Sequence, residues 1–292
     1  MRCVKFLIAA GAASLLSSMA LAADLPYAPP YVPPVEEFGG WYLRGDIGFS
    51  NQSVNNIRHS DPARYQGLSS FDEKIGFDTA GTFQIGAGYQ FNNWFRADVT
   101  GQYRGRANFK GTDLLTFPLA TPNGVQTFNG IDNYSASKSE WLFLANAYVD
   151  LGTWWGVTPF VGAGVGTALV TISNFTDTGV NNINFNGLGA GPFPSGPPVA
   201  SFAAASSGSK WNFAWAAHAG LAYKVSPNIT LELAYSFVDL GSGTTGTIRA
   251  FDSPTLGNVF KFNNITSHDL KLGVRWELEA PTTYAPPLIR KG

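Results

Sequence analysis

The chain has almost no cysteine, little charge and no excess of either sign. Its 292 residues include a single cysteine, Cys3, and charged residues make up 13% of the sequence, about half the share that is usual in soluble domains. The formal net charge is −1, so no basic surface for nucleic acid is indicated, and we expect no nucleic acid partner. Past Cys3 the composition excludes disulfides and thiol chemistry.

Long apolar runs are also missing after the first residues. Arg2 and Lys5 precede an apolar stretch that ends at Ala20-Leu21-Ala22, which is the three-part layout of a secretory signal peptide, predicted here for residues 1–22. No later segment approaches the roughly 18 consecutive apolar residues of a membrane helix. If the exported protein lies in a membrane, it must therefore cross it as strands.

What the sequence does contain is alternation of apolar and polar residues. Period-two alternation predicts strands with unlike faces. Each such segment has about the 9 to 11 residues that a tilted strand needs to cross a bilayer, or slightly more. The eight segments are approximately 41–50, 79–91, 95–104, 140–151, 157–170, 211–224, 229–238 and 268–276.

The connections between these segments alternate in length. Those after the second, fourth and sixth segments are short, whereas the other four run to roughly 25 to 40 residues rich in Asn, Gly, Ser and Thr, a layout typical of outer-membrane barrels. We predict an all-β fold, one eight-stranded antiparallel up-and-down transmembrane β-barrel over residues 39–276, with four long external loops. The proline-rich segments 23–38 and 277–292 are predicted to be periplasmic, and the barrel to lie in the outer membrane of a Gram-negative bacterium.

The two faces of the segments differ in charge. The face that carries Trp41, Phe83 and Trp276 has no charged residue, so we expect it to contact lipid. The turn at Asn92-Asn93 predicts that Gln90 lies opposite Arg96. The charged residues of the other face are predicted to form an ion-pair network in the lumen: Arg44, Asp46, Arg96, Asp98, Glu232, Lys271 and Arg275.

Two interpretations of this lumen network remain open. It is either a plug that makes the barrel rigid or a charged constriction in a small pore. His218 is predicted to point into the lumen, and the three histidines show no metal-ligand spacing. No Ser-His-acid set is visible either, so we predict no catalytic residue, no metal site and no cofactor.

Four stretches carry a resemblance to a known family: GWYLRGDIGFS, FVGAGVG, ITLELAYSFVDLG and HDLKLGVRW. Together they resemble the small outer-membrane β-barrels of alphaproteobacteria, a group of surface antigens with an OmpA-like eight-stranded barrel, over about residues 39 to 276. The resemblance implies a surface-exposed structural or immunogenic protein, with porin-like or ligand-binding roles in some members. Such barrels commonly finish on a terminal aromatic residue, whereas Trp276 is followed here by the segment to Gly292.

The function predicted from the sequence is that of a non-catalytic structural and surface protein. The alternatives are a narrow porin-like channel for ions or small solutes, and adhesion or ligand binding by the loops. The expected partners are outer-membrane lipid and the barrel assembly machinery, with contacts to periplasmic proteins or peptidoglycan through the proline-rich tails.

Overall fold

The computed structural model describes residues 39–121, 124–181, 199–251 and 257–278. The predicted signal peptide and the proline-rich tails, apart from Glu277 and Leu278, lie outside these residues. In the described part no helix is long and apolar enough to span a membrane, and a 3-10 turn covers Pro62–Tyr65. The strands are β1 Gly40–His59, β2 Ser70–Phe77, β3 Ala80–Gln90, β4 Phe95–Thr121, β5 Gly124–Asp150, β6 Val157–Asn181, β7 Val199–Ala205, β8 Gly208–Ser226, β9 Ile229–Thr244, β10 Ile248–Ala250 and β11 Phe260–Glu277.

Eight of these strands close into a ring, which confirms the predicted fold. The order is β1-β3-β4-β5-β6-β8-β9-β11 and back to β1, and every neighbouring pair is antiparallel. Closure leaves no unpaired edge in the ring, as a sheet in lipid requires. The other three strands lie beyond the ring, where β2 pairs with β4, β7 with β6 and β10 with β7.

The strand register fixes the stagger of the barrel. Starting at Trp41 and passing from partner to partner around the ring, the path returns to β1 at Asn51, which is ten residues further along the chain. In a closed sheet the stagger and the tilt of the strands are linked, and the tilt is typically about 35–45°. The interior of such an eight-stranded barrel is wide enough only for side chains.

The outward and inward faces are those that the alternation predicts. Trp41, Phe83 and Trp276 are 58%, 60% and 53% exposed, while Arg96 is fully buried in the lumen. The turn register is also confirmed, because the Phe91 N–H donates to the Phe95 carbonyl at 3.0 Å and Gln90 lies opposite Arg96.

The four long loops, in contrast, are largely wrong as predicted, because the strands continue through much of them. β1 runs on to His59, β4 and β5 continue together as far as Thr121 and Gly124, and β2 adds to their edge. The continued strands escape a search for amphipathic alternation because their outward residues are polar, as with Arg106, which meets water instead of lipid. We call this part of the barrel the extended end, and the opposite part, with the short connections, the turn end.

Bulges separate the membrane part of the barrel from the extended end. In β4 the register shifts between Arg104 and Ala107, and both residues point inward although they are three positions apart. In β6 Ile172 and Phe175 both point inward, and Asn174 between them has a φ of 54°. Each extra residue moves the following inward positions by one, so a simple period of two does not continue through the bulge.

An apolar core fills the interior of the extended end. Phe109 and Phe262 are fully buried with their ring centroids 4.9 Å apart, and Phe175 and Phe260 pack at 4.8 Å. Fully buried aromatic side chains of this size make the largest contributions to burial in a core. The extended end is therefore a packed structure and not a set of open loops.

Candidate functional site

The lumen near the turn end holds a network of ion pairs around Arg44. Its guanidinium lies 2.8 Å from Asp46 on the same strand, 3.0 Å from Asp98 on β4 and 3.2 Å from Glu232 on β9. All four side chains are at least 95% buried. Arg44 therefore links carboxylates from three strands across the barrel.

Glu232 is the second centre of this network. Besides Arg44 it contacts Arg96 at 3.2 Å and Arg275 at 3.1 Å. Arg96 in turn lies 3.3 Å from Asp150. The structure thus brings together six of the seven residues in the predicted network and adds Asp150 to them.

Lys271, the seventh residue, takes part differently. It forms no ion pair with the described residues, and its Nζ donates to Gln84 Oε1 at 3.3 Å. Gln84 Nε2 donates in turn to Asp46 Oδ2 at 2.9 Å. The amide therefore connects Lys271 to the network through hydrogen bonds.

Aromatic and amide side chains fill the space around these charges. The Arg96 guanidinium lies over the rings of Tyr148 and Phe160, at 4.4 Å and 4.7 Å from their centroids. His218 points inward, with Nδ1 2.8 Å from the Ser236 hydroxyl and Nε2 3.2 Å from Asn146 Oδ1. These contacts hold both groups within the packed lumen, where a buried polar group needs a partner.

A second layer of charge, closer to the extended end, is absent from the predicted network. Arg104 makes a bidentate ion pair with Asp269 at 2.7 and 2.8 Å and lies 3.0 Å from Glu140, which also contacts Lys138. The signal for it was present, since Arg104 continues the alternation that includes Arg96. It was missed because these residues lie where the predicted segments end.

The buried charges of the two layers balance. The first layer has four cations, Arg44, Arg96, Lys271 and Arg275, and four carboxylates, Asp46, Asp98, Asp150 and Glu232. The second has two cations, Arg104 and Lys138, and two carboxylates, Glu140 and Asp269. Balance of this kind is what a closed low-dielectric interior requires.

The extended end holds a cavity of about 530 Å³ with a different character. Its walls are mostly apolar. Asp132 and Asp177 contribute carboxylates from β5 and β6, and the segment that follows β1 contributes Arg64. The remaining lining residues are His59, Asp61, Leu115, Phe117, Gly130, Val180, Asn181, Ser201, Phe202, Ala203, Ile248, Ala250 and Asn258.

Carboxylates of the extended end have unusual pKa values. Burial raises the pKa of Asp177 to about 7, and the neighbouring charge of Asp132 adds to the effect. Burial also raises the pKa of Asp113 to about 7, although its hydrogen bond from Tyr134, at 3.0 Å, opposes the shift. Burial raises the pKa of Asp132 as well. Negative charge in this part of the molecule is therefore poorly compensated.

No metal-ligand arrangement accompanies these carboxylates. In the described ranges no group of three or more His, Cys, Asp or Glu side chains could hold a metal ion. The predicted inward position of His218 is observed, but its ring contacts a hydroxyl and an amide and no carboxylate. The two arrangements that could have a function are thus the packed lumen and the open cavity above it.

Comparison with known proteins identifies relatives of the whole chain. A family model described as an outer membrane protein beta-barrel domain matches residues 8–277. An uncharacterized protein of Brucella suis is 27% identical over 281 residues, which cover 89% of this chain and 93% of the relative. A protein of Rickettsia bellii that is described as a proposed adhesin is 28% identical and covers 93% and 98%. The outer membrane protein OprG of Pseudomonas aeruginosa is a similar solved structure, with a TM-score of 0.43 and 12% identity over 84% of this chain and 98% of OprG.

Proposed function

The chain belongs to the family of outer membrane protein β-barrel domains, and from that premise we propose that it is a non-catalytic surface protein. Its closed barrel anchors the extended end in the outer membrane and holds it outside the cell. In this proposal the ion pairs of the lumen make the anchor rigid and carry no substrate or ion.

Closure of the lumen is the observation that supports this function. Arg96 and Arg104 are fully buried although they lie on the inward face, and so are Phe109 and Phe262 above them. A conducting pore needs a path for water or hydrated ions past its lining. Side chains that no water can reach are the opposite arrangement, so the narrow channel has less support.

Single-channel recording tests the proposal. We expect the full chain, folded and inserted in a planar bilayer, to give no discrete conductance steps, and Arg96→Ala to remain silent as well. An open porin in the same bilayer serves as the control for recording conditions, and heat-dependent electrophoretic mobility shows that each sample is folded. Discrete steps whose size or ion selectivity changes with Arg96→Ala would make the lumen charges a filter and the channel the correct function.

Adhesion by the extended end is a second candidate function, favoured by apolar side chains outside the membrane belt. Leu114, Ile131 and Val180 are partners on β4, β5 and β6, point outward and are 44%, 36% and 44% exposed. Hydrogen-bonded polar pairs such as Thr112 with Asn133 flank this row. Apolar side chains that adjoin one another on a water-exposed face are typical of interaction sites. The Rickettsia relative is described as a proposed adhesin.

Cell-binding measurements test the second candidate. Bacteria that display the chain are expected to bind cultured host cells, and a triple change to serine at Leu114, Ile131 and Val180 should reduce binding severalfold. Lys110→Ser, an outward change on the same strand, is the matched control and should have no effect. Equal binding by the triple variant and the wild type, at equal surface amounts, would contradict adhesion by this row while leaving the closed anchor in place.

A further inference from the structure

The cavity of the extended end differs from the lumen in its charge balance. In the lumen each buried carboxylate has a cationic counterpart, whereas Asp113 and Asp177 in the extended end are 2% and 6% exposed and form no ion pair with a described residue. The nearest cation that affects Asp177 is Arg64, which is exposed on the segment after β1. Buried negative charge without a counter-charge is costly unless a partner supplies it.

Asp177 has a carboxylate oxygen that the fold does not use. The side chain lines the cavity, and its Oδ1 is buried without a hydrogen-bond partner in the described part of the chain. Almost all buried polar atoms in folded proteins are paired. An unpaired carboxylate oxygen beside a cavity is therefore a position where a bound group would be stabilised.

Asp132 is held next to the same space by an absence of side chain. It lies opposite Gly179 on β6, and a Cβ atom at Gly179 would overlap Asp132 Oδ1 and lie 2.6 Å from Ser201 Oγ. The glycine thus gives the carboxylate and the Ser201 hydroxyl room on the inner face of the sheet. Both residues line the cavity together with Asp177.

We propose that this cavity binds a small organic cation, an ammonium or guanidinium group carried on an apolar body. Asp132 and Asp177 pair with the cation, and Leu115, Phe202 and Ile248 contact its apolar part. The volume lies within the range of small-molecule sites, which combine apolar walls with a few polar groups. The proposal is independent of the adhesion function, because it uses the inner face of the strands.

Arg64 gives the proposal a test of sign. Since Arg64 lines the same cavity, its positive charge repels a bound cation and attracts a bound anion. Arg64→Gln should therefore tighten the binding of a cation about twofold or more, because one opposing charge is removed. A site for an anion would lose affinity by the same change.

Binding should also depend on pH. The pKa of Asp177 is raised to about 7 mainly by burial, so below that pH the protonated carboxyl loses its attraction for a cation. We expect affinity to fall as the pH is lowered from 8 to 5. The titratable and charged groups that face Asp177 or line its cavity are Asp113, Asp132, Tyr134, His59, Asp61 and Arg64.

Calorimetric titration of the full chain, folded in detergent micelles, is the experiment. The probes are 2-phenylethylammonium and its uncharged analogue 2-phenylethanol, measured at pH 8. We expect a dissociation constant on the order of 1 mM or lower for the ammonium, and at least about tenfold weaker binding of the alcohol. Asp177→Asn should weaken the ammonium by at least about tenfold, and Asp72→Asn, on the exposed face of β2, should not change it.

Three results would overturn the proposal. These are no heat of binding for the ammonium, equal affinities for the ammonium and the alcohol, or equal affinities of the Asp177→Asn and Asp72→Asn variants for the ammonium. Heat-dependent electrophoretic mobility must show that each variant is folded. If Asp177→Asn did not fold, Arg64→Gln would decide, since tighter ammonium binding supports the cation site and unchanged or weaker binding overturns it.

Discussion

Replacing Glu232 by glutamine is expected to destabilise the barrel strongly. Glu232 is 2% exposed and lies 3.1 to 3.2 Å from the guanidinium groups of Arg44, Arg96 and Arg275. The change keeps the size of the side chain but removes one of four negative charges, so four buried cations face three carboxylates. Breaking a buried ion pair from one side costs about 3–5 kcal/mol, and we expect a loss in that range.

Urea-induced unfolding in lipid vesicles, followed by tryptophan fluorescence, measures this loss. The matched control is Glu277→Gln, which makes the same chemical change near the turn end. Glu277 contacts Lys224 at 3.6 Å, and the Lys224 side chain is 50% exposed. An exposed pair of this kind contributes about 0–1 kcal/mol, so the free energy of unfolding should hardly change.

A second variant separates charge balance from local damage. Adding Arg275→Met to Glu232→Gln restores equal numbers of positive and negative charges in the layer. The double variant should be less destabilised than the sum of the two single changes, by a coupling of about 0.5–3 kcal/mol. A Glu232→Gln barrel within about 1 kcal/mol of the wild type would refute the reasoning, because the network would then contribute little.

Two further predictions concern packing and the lipid face. Gly88→Ala should cost about 1–3 kcal/mol in unfolding free energy, because a Cβ there would collide with the Tyr42 ring, whereas Gly45→Ala, with open space around it, should be nearly neutral. Ile47→Arg, in the outward apolar belt, should cost about 2–4 kcal/mol, and Asn51→Arg on the same face beyond the belt about 0–1 kcal/mol, both by urea unfolding in vesicles. Equal costs within either pair would contradict the assigned packing or the assigned membrane boundary.

The sequence was sufficient for the membrane part of the barrel because lipid imposes a strict pattern there. Every second residue must be apolar, so the outward positions of Phe83 and Trp276 follow from alternation alone. The turn between Phe91 and Phe95 then fixes the register and places Gln90 opposite Arg96. These predictions depend on local rules that one strand or hairpin satisfies by itself.

The extended end could not be predicted in the same way, for two physical reasons. Its outward residues meet water, so they need not be apolar and the alternation loses contrast. Its inward positions also change phase at the bulges, so Phe109 follows Arg104 inward by an odd number of residues. The second charge layer lies next to this change, and the cavity arises only when strands distant in sequence, such as those of Asp132 and Ile248, come together.

The bulges divide the barrel into parts that tolerate change differently. Within β1 between Trp41 and Phe49, inserting or deleting one residue would turn every later side chain to the opposite face, placing charge in lipid and apolar groups among the ion pairs. At the bulge after Arg104 an extra residue is already accommodated, and the inward positions are counted afresh beyond it. Single-residue length changes should therefore survive selection at the bulges far more often than in the membrane belt. The exposed structure of this protein can diversify in length and sequence while the anchor beneath it stays the same.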